Sequence, residues 1–240
     1  MNAIRKKLDS HETGVKWISA ETADMLKIYT AAKNSIISKI ARNSQRSRDP
    51  LAGKYLIALN ETLMKEYAEL ESQLRAWGGG NIPYIAQSYY LMALADLDAN
   101  GQTLVHGFAK ERVKQMTDDY FRHIAGATRN MLDQDIRYLR NMSAQVFRAA
   151  SISGKTRAEV SREMLSKILD LPGFKFIDKA GRRWNTRSYF DMLGRTVLMN
   201  AGRETYVNTC ADNGKDVVRV TLGADSCPVC DKYENKLLSL

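Results

Sequence analysis

Proline is scarce here, with four residues in 240, and the chain has only three cysteines, three histidines and 15 glycines. So little proline and glycine excludes a disordered or linker-dominated chain. Two of the three cysteines stand in one Cys-x-x-Cys turn, which excludes the disulfide framework of a small secreted domain. No run of about 18 apolar residues occurs, so no membrane-spanning helix is expected. The N-terminal Met1-Asn-Ala-Ile-Arg-Lys-Lys-Leu8 is basic but has no apolar core of the secretory kind, and a cytosolic origin follows. His11, His106 and His123 are scattered, so no Ser/His/Asp or Cys/His constellation is indicated. Ser153-Gly-Lys-Thr156 is no phosphate loop, because Ala149 occupies the place of its first glycine and no strand precedes it.

What the chain does carry is positive charge, 36 basic against 27 acidic residues and a net +9. An excess of this size points to a polyanionic neighbourhood. It is not a tail effect: residues 1–100, 101–150 and 151–240 carry +2, +3 and +4. At this length the chain can bury one large core or two modest ones.

Helical patterns fill the first 170 residues. Ser19 precedes acids that suit a helix N-terminus, and Met25, Ile28, Ala32, Ile36 and Ile40 mark one face, so a helix is predicted over about 20–42. The basic, polar Arg42–Arg48 reads as a loop. Asp49-Pro50 opens the next helix, in which Leu56, Leu63, Leu70 and Trp77 fall seven apart with Leu59, Tyr67 and Leu74 between them. Gly78-Gly79-Gly80 predicts its end, and a shorter helix is predicted from Pro83 to Leu97. From Gln102 to Ala150, Val113, Met116, Tyr120, Ile124, Ala127, Met131, Tyr138, Met142 and Val146 track one face. That length predicts either one extended helix or two with a bend near Gly126. Thr156-Arg-Ala-Glu159 is a capping box for a helix ending near Leu169.

Beyond Leu171-Pro172-Gly173 the pattern changes. Phe174–Trp184 is aromatic at both ends around a polar Asp178–Gly181 centre, as in a β-hairpin. Arg187 to about Cys210 reads as a helix, with Asn185 or Thr186 as cap and Asn213-Gly214 as stop. Val218, Val220 and Leu222 alternate with Val217, Arg219 and Thr221, a strand with one buried face. Lys236–Leu240 reads as a returning strand. The expected fold is mainly α: an elongated antiparallel helical body over 1–170, then a small C-terminal α+β module over 171–240 made of hairpin, helix, strand and Cys-x-x-Cys turn.

Three features of this sequence bear on chemistry. Cys227-Pro-Val-Cys230 offers two thiolates to a tetrahedral zinc, with Cys210 as a third candidate, while a bare turn with two thiols is the alternative. Arg195 has Asp191 four residues before it, an ordinary helical ion pair, or it fastens the hairpin. Basic residues Arg42, Arg46 and Arg48, with Lys179, Arg182 and Arg183, are candidate phosphate contacts.

The C-terminal quarter resembles the phage minor capsid protein 2 group and the related Mu F-like head morphogenesis proteins. The resemblance rests on the Gly181-Arg-Arg-Trp184 turn, Tyr189, the Arg195-Thr196 pair, the Gly214–Val220 strand, and Cys227-Pro-Val-Cys230 followed by Tyr233-Glu-Asn-Lys236. It singles out Trp184, Tyr189, Arg195 and Thr196 as motif residues and implies no catalytic activity and no required cofactor. It also implies an oligomeric virion protein at the portal vertex inside the capsid, assembled in the host cytoplasm. Its partners would be the portal, other capsid proteins and packaged DNA. The family pattern runs on into a His-Pro-Asn-Cys-Arg cluster that is not reached by Leu240, as expected of a fragment or shortened variant. Two other classes fit the same residues: the front part of a Mu F-type effector carrier, toxin or enzyme, and a zinc-dependent nucleic-acid-binding module.

Overall fold

The computed structural model describes residues 11–46, 53–98, 108–168, 175–177, 183–220, 228–229 and 231–239. Among them are five helices: α1 (His11–Arg46), α2 (Gly53–Asp98), α3 (Lys110–Ser153), α4 (Arg157–Ile168) and α5 (Thr186–Asp212). Four three-residue strands lie in the C-terminal part of the chain: β1 (Lys175–Ile177), β2 (Arg183–Asn185), β3 (Val217–Arg219) and β4 (Leu237–Ser239). They form two separate antiparallel pairs, β1 with β2 and β3 with β4. The fold is mainly α, as the patterns predict, and among the described residues no C-terminal β-hairpin module is shown.

The chain divides into two compact units. One comprises Ser19–Gly79 and Asp118–Arg195. Its core is the predicted seam: Leu59, Leu63, Tyr67, Leu70, Leu74 and Trp77 of α2 are all buried. Met25, Tyr29, Ile36 and Ile40 of α1 and Tyr120, Ile124, Met131, Met142 and Val146 of α3 are buried too. Thr156 and Glu159 form the capping box at the start of α4: the Thr156 backbone N–H donates to Glu159 Oε2 at 2.7 Å, and the Glu159 N–H donates to Thr156 Oγ1 at 3.4 Å. The other unit comprises Met1–Ile18, Gly80–Thr117 and Thr196–Leu240. Its buried residues include Ile82, Ile85, Tyr89, Val113, Leu198 and Ala201, and the Trp17 and Tyr84 rings lie 5.0 Å apart within it.

Several boundaries differ from the sequence expectations, each for a packing reason. The first helix runs on through Arg42 to Arg46 instead of ending in a loop. Buried Ile40 and an Asn43 Nδ2–Thr62 Oγ1 bond of 3.1 Å hold that last stretch. The triple glycine does not end a helix: α2 passes through Gly78-Gly79-Gly80 and Pro83 without interruption, so the two predicted helices are one. Three interior glycines at about 1 kcal/mol each and a proline at about 3 kcal/mol oppose this locally. Tertiary packing outweighs that local preference. A Cβ on Gly78 would lie 2.0 Å from Tyr120 Cε1, so only glycine lets the buried Tyr120 ring lie on this turn. The α3 helix is likewise continuous past Gly126. The expected starts at Asp49-Pro50 and Gln102 fall outside the described residues.

The predicted C-terminal helix, α5, carries buried residues along its length. Phe190 is 0 % exposed, with its ring 5.3 Å from that of Tyr29. A Cβ on Gly194 would approach Met25 Sδ to 2.9 Å. In the other unit, a Cβ on Gly202 would meet the Tyr89 ring at 2.9 Å. An aromatic core residue and two glycines at close crossings belong to a helix sunk among others. Its ends match the expectation. Asn185 Oδ1 accepts the Arg187 N–H at 3.0 Å, an N-cap. At the other end, Lys215 N–H donates to Cys210 O at 3.0 Å and Gly214 N–H to Ala211 O at 2.9 Å. With Gly214 at φ 78 this is a Schellman stop.

Candidate functional site

The residues singled out by the sequence are distributed along α5 and its flanks. Trp184 lies in β2, opposite Phe176 in the register. Tyr189, on the first turns of α5, is half-buried and meets Phe190 edge-on at 5.7 Å. Arg195 is exposed, and its Nε donates to both carboxylate oxygens of Asp191 at 3.1 and 3.2 Å. Its Nη1 donates to Ser19 Oγ at 3.1 Å. The arginine thus combines the ordinary i,i+4 pair with a tie between α5 and α1, while Thr196 beside it is exposed. Through these contacts Arg195 holds two helices of one unit together.

The candidate phosphate contacts are less gathered. Arg42 is exposed and bonds back to Ser38 of its own helix, through Nη2 to Oγ at 3.0 Å. Arg46 ends α1 and Arg183 opens β2. Arg48, Lys179 and Arg182 lie outside the described residues, as do Cys227 and Cys230. Cys210 is buried, and burial together with the Asp96 carboxylate pushes its thiol up, against the pull of Tyr206 and Lys215. A thiol held protonated is a poor start for a metal ligand. Among the described residues no group of three or more His, Cys, Asp or Glu is placed to hold a metal ion.

A polar centre that the sequence reasoning missed lies inside the unit built on Ser19–Gly79 and Asp118–Arg195. Asp135 of α3 is 0 % exposed and accepts the Tyr67 hydroxyl at 2.7 Å. Burial pushes the Tyr67 phenol strongly up, and the negative charge of Asp135 adds to it, so Tyr67 stays a donor. Burial also raises Tyr29, with Asp135 adding to it; Thr186 beside its phenol and the Arg187 charge work the other way. Residues of α1, α2 and α3 therefore converge on one buried carboxylate, with Thr186 and Arg187 of α5 beside Tyr29. The signal was present in the sequence: Asp135 stands at helical spacing between Met131 and Tyr138, on the face that is otherwise apolar. Nearby in chain order, Glu66 is a second buried acid, bonded by Lys39 and, at 2.6 Å, by Ser35 Oγ. Burial raises its carboxyl, but the bonds from Lys39 and Ser35 outweigh that and leave it below the usual glutamate range. Each acid accepts a hydrogen bond from a neighbouring helix, and the chemistry of both is that of fastening helix to helix.

No described helix is long and apolar enough to cross a membrane. A family model for phage minor capsid protein 2 matches the chain over residues 16–240. No curated protein and no solved structure matches it.

Proposed function

This chain belongs to the phage minor capsid protein 2 family, and on that premise we propose that it is a non-enzymatic head component that docks on the portal and contacts packaged DNA. The match over residues 16–240 carries the reading, since it takes in all five helices from Lys16 onward as well as the motif-bearing α5. The net charge of +9 supports a polyanionic neighbour. The two buried acids each accept a hydrogen bond from a neighbouring helix, which suits a scaffold. Other virion proteins are its partners, and the capsid interior at the portal vertex is its place.

The test is co-purification of the full chain with the portal protein and, separately, its detection by mass spectrometry in purified DNA-filled heads. The reading expects a stable portal complex and a low copy number per head. Presence only in lysate, with no portal complex, would overturn it.

A further inference from the structure

The basic excess is distributed along the sequence, but helical geometry gathers part of it. On α3, Arg129, Arg137, Arg140 and Arg148 are all exposed. At about 100° per residue they fall within an arc of about 100°, and at about 1.5 Å per residue they rise over roughly 28 Å. Among the described residues none of the four enters an ion pair; the preceding Arg122 is paired with Asp119. Between Arg129 and Arg148, Asp133 is the single carboxylate on that arc. Gly126 and Ala144 lie on the same arc, and a Cβ on Gly126 would meet nothing within 4 Å. The ridge therefore carries arginines along both edges of the arc, with Asp133 and Ala144 between them. The α2 surface of the same unit differs, with exposed Glu61 and Glu69 around Lys65.

We infer that this face of α3 is a docking surface for the sugar–phosphate backbone of duplex DNA, read without regard to base sequence. The inference rests on the proposed contact with packaged DNA and assigns it to a surface. Three observations suit a phosphate backbone. The four positions are all arginine, whose planar fork matches phosphate oxygens two at a time. They are spread along one line instead of clustered in a pocket, and about 28 Å corresponds to roughly eight base-pair steps of a duplex. Ala144, between Arg140 and Arg148 on the same arc, is small and leaves room there for a rigid rod to approach the helix backbone. Asp133 opposes the phosphates, so the surface is weakened at one known point.

The experiment measures binding of the full chain to a labelled mixed-sequence duplex across a salt series, for four proteins. These are the wild type, the quadruple variant Arg129→Ala/Arg137→Ala/Arg140→Ala/Arg148→Ala, the same four positions changed to Gln, and Asp133→Asn. Since each phosphate contact adds about 0.9 to the slope of log affinity against log salt, the quadruple variants should lose roughly 3–4 from it. Asp133→Asn should bind more tightly than the wild type. Circular dichroism should show unchanged helicity, because all five positions are exposed and alanine and glutamine are good helix formers. A wild type that binds while both quadruple variants bind equally well would overturn the assignment of the face and leave the DNA reading standing. A wild type that does not bind duplex at all would overturn both. Polyglutamate displacing the protein as effectively as unlabelled duplex would make an acidic protein the partner of this ridge, and so overturn the assignment to DNA.

Discussion

Replacing Gly78 and Gly80 by alanine, one at a time, should shift stability in opposite directions. Both positions lie inside α2, so each substitution gains up to about 1 kcal/mol from helix propensity. At Gly80 nothing lies within 4 Å of the added methyl, and that gain should emerge almost undiminished, about 0.5–1 kcal/mol. At Gly78 the new Cβ would lie 2.0 Å from Tyr120 Cε1 and 2.4 Å from Cδ1, where carbon atoms need about 3.5 Å. The ring has little room to yield. Tyr120 is 1 % exposed, sits 5.8 Å from the Trp77 ring centroid, and donates its hydroxyl to Leu74 O at 2.9 Å. Overpacking costs about 1–3 kcal/mol, and loss of the buried phenol's bond adds about 1 kcal/mol. After subtracting the propensity gain, Gly78→Ala should destabilise by about 1–3 kcal/mol. For a chain of this size that lowers Tm by roughly 2–12 °C, while Gly80→Ala raises it by about 1–4 °C. Thermal and urea unfolding of the two variants side by side is the assay. If both variants lose stability equally, the glycines are needed for a break in the helix and the continuous α2 is wrong; if Gly78→Ala is neutral, the close approach of Tyr120 is wrong.

Three further substitutions probe the same core. Phe190→Ala removes a 0 % exposed ring packed on Tyr29 and should cost about 3–5 kcal/mol; a cost under about 1 kcal/mol in urea unfolding would mean that α5 is an appendage after all. Tyr67→Phe takes the donor from buried Asp135 and should cost about 1–3 kcal/mol, read from the same transitions, with little change expected in helicity. Glu66→Gln should be less stable than the wild type near neutral pH, because the folded-state carboxyl sits below its ordinary value of 4.5. A depressed carboxyl contributes fully above that ordinary value and loses its contribution as pH falls through the folded one. The gap between the two proteins should therefore close on acidification, and a gap that widens would contradict the pairing with Lys39 and Ser35.

By itself the sequence determined the elements whose causes are local. The Leu59-to-Trp77 seam, the Thr156–Glu159 box, the Asn185 cap and the Gly214 stop depend on residues within one or two turns of one another, and each is found where the pattern puts it. The motif residues around α5 pointed to the family for the same reason, as order and spacing along the chain are preserved in a string of letters. Tertiary structure decided whatever depends on partners far away in the chain. Three glycines and a proline predict a helix end when only propensity is counted, but Tyr120, some 40 residues on, makes Gly78 a packing requirement. The pattern of α5 showed a helix but not its neighbours, and Phe190 and Gly194 place it against Tyr29 and Met25, more than 160 residues earlier. Asp135 was visible as a polar letter on an apolar face, but its meaning required Tyr67 within 2.7 Å. The arginine ridge shows the same division. The net charge is a property of composition, whereas a row of cations on one solvent face exists only once α3 is known to be a single unbroken helix whose other face is buried.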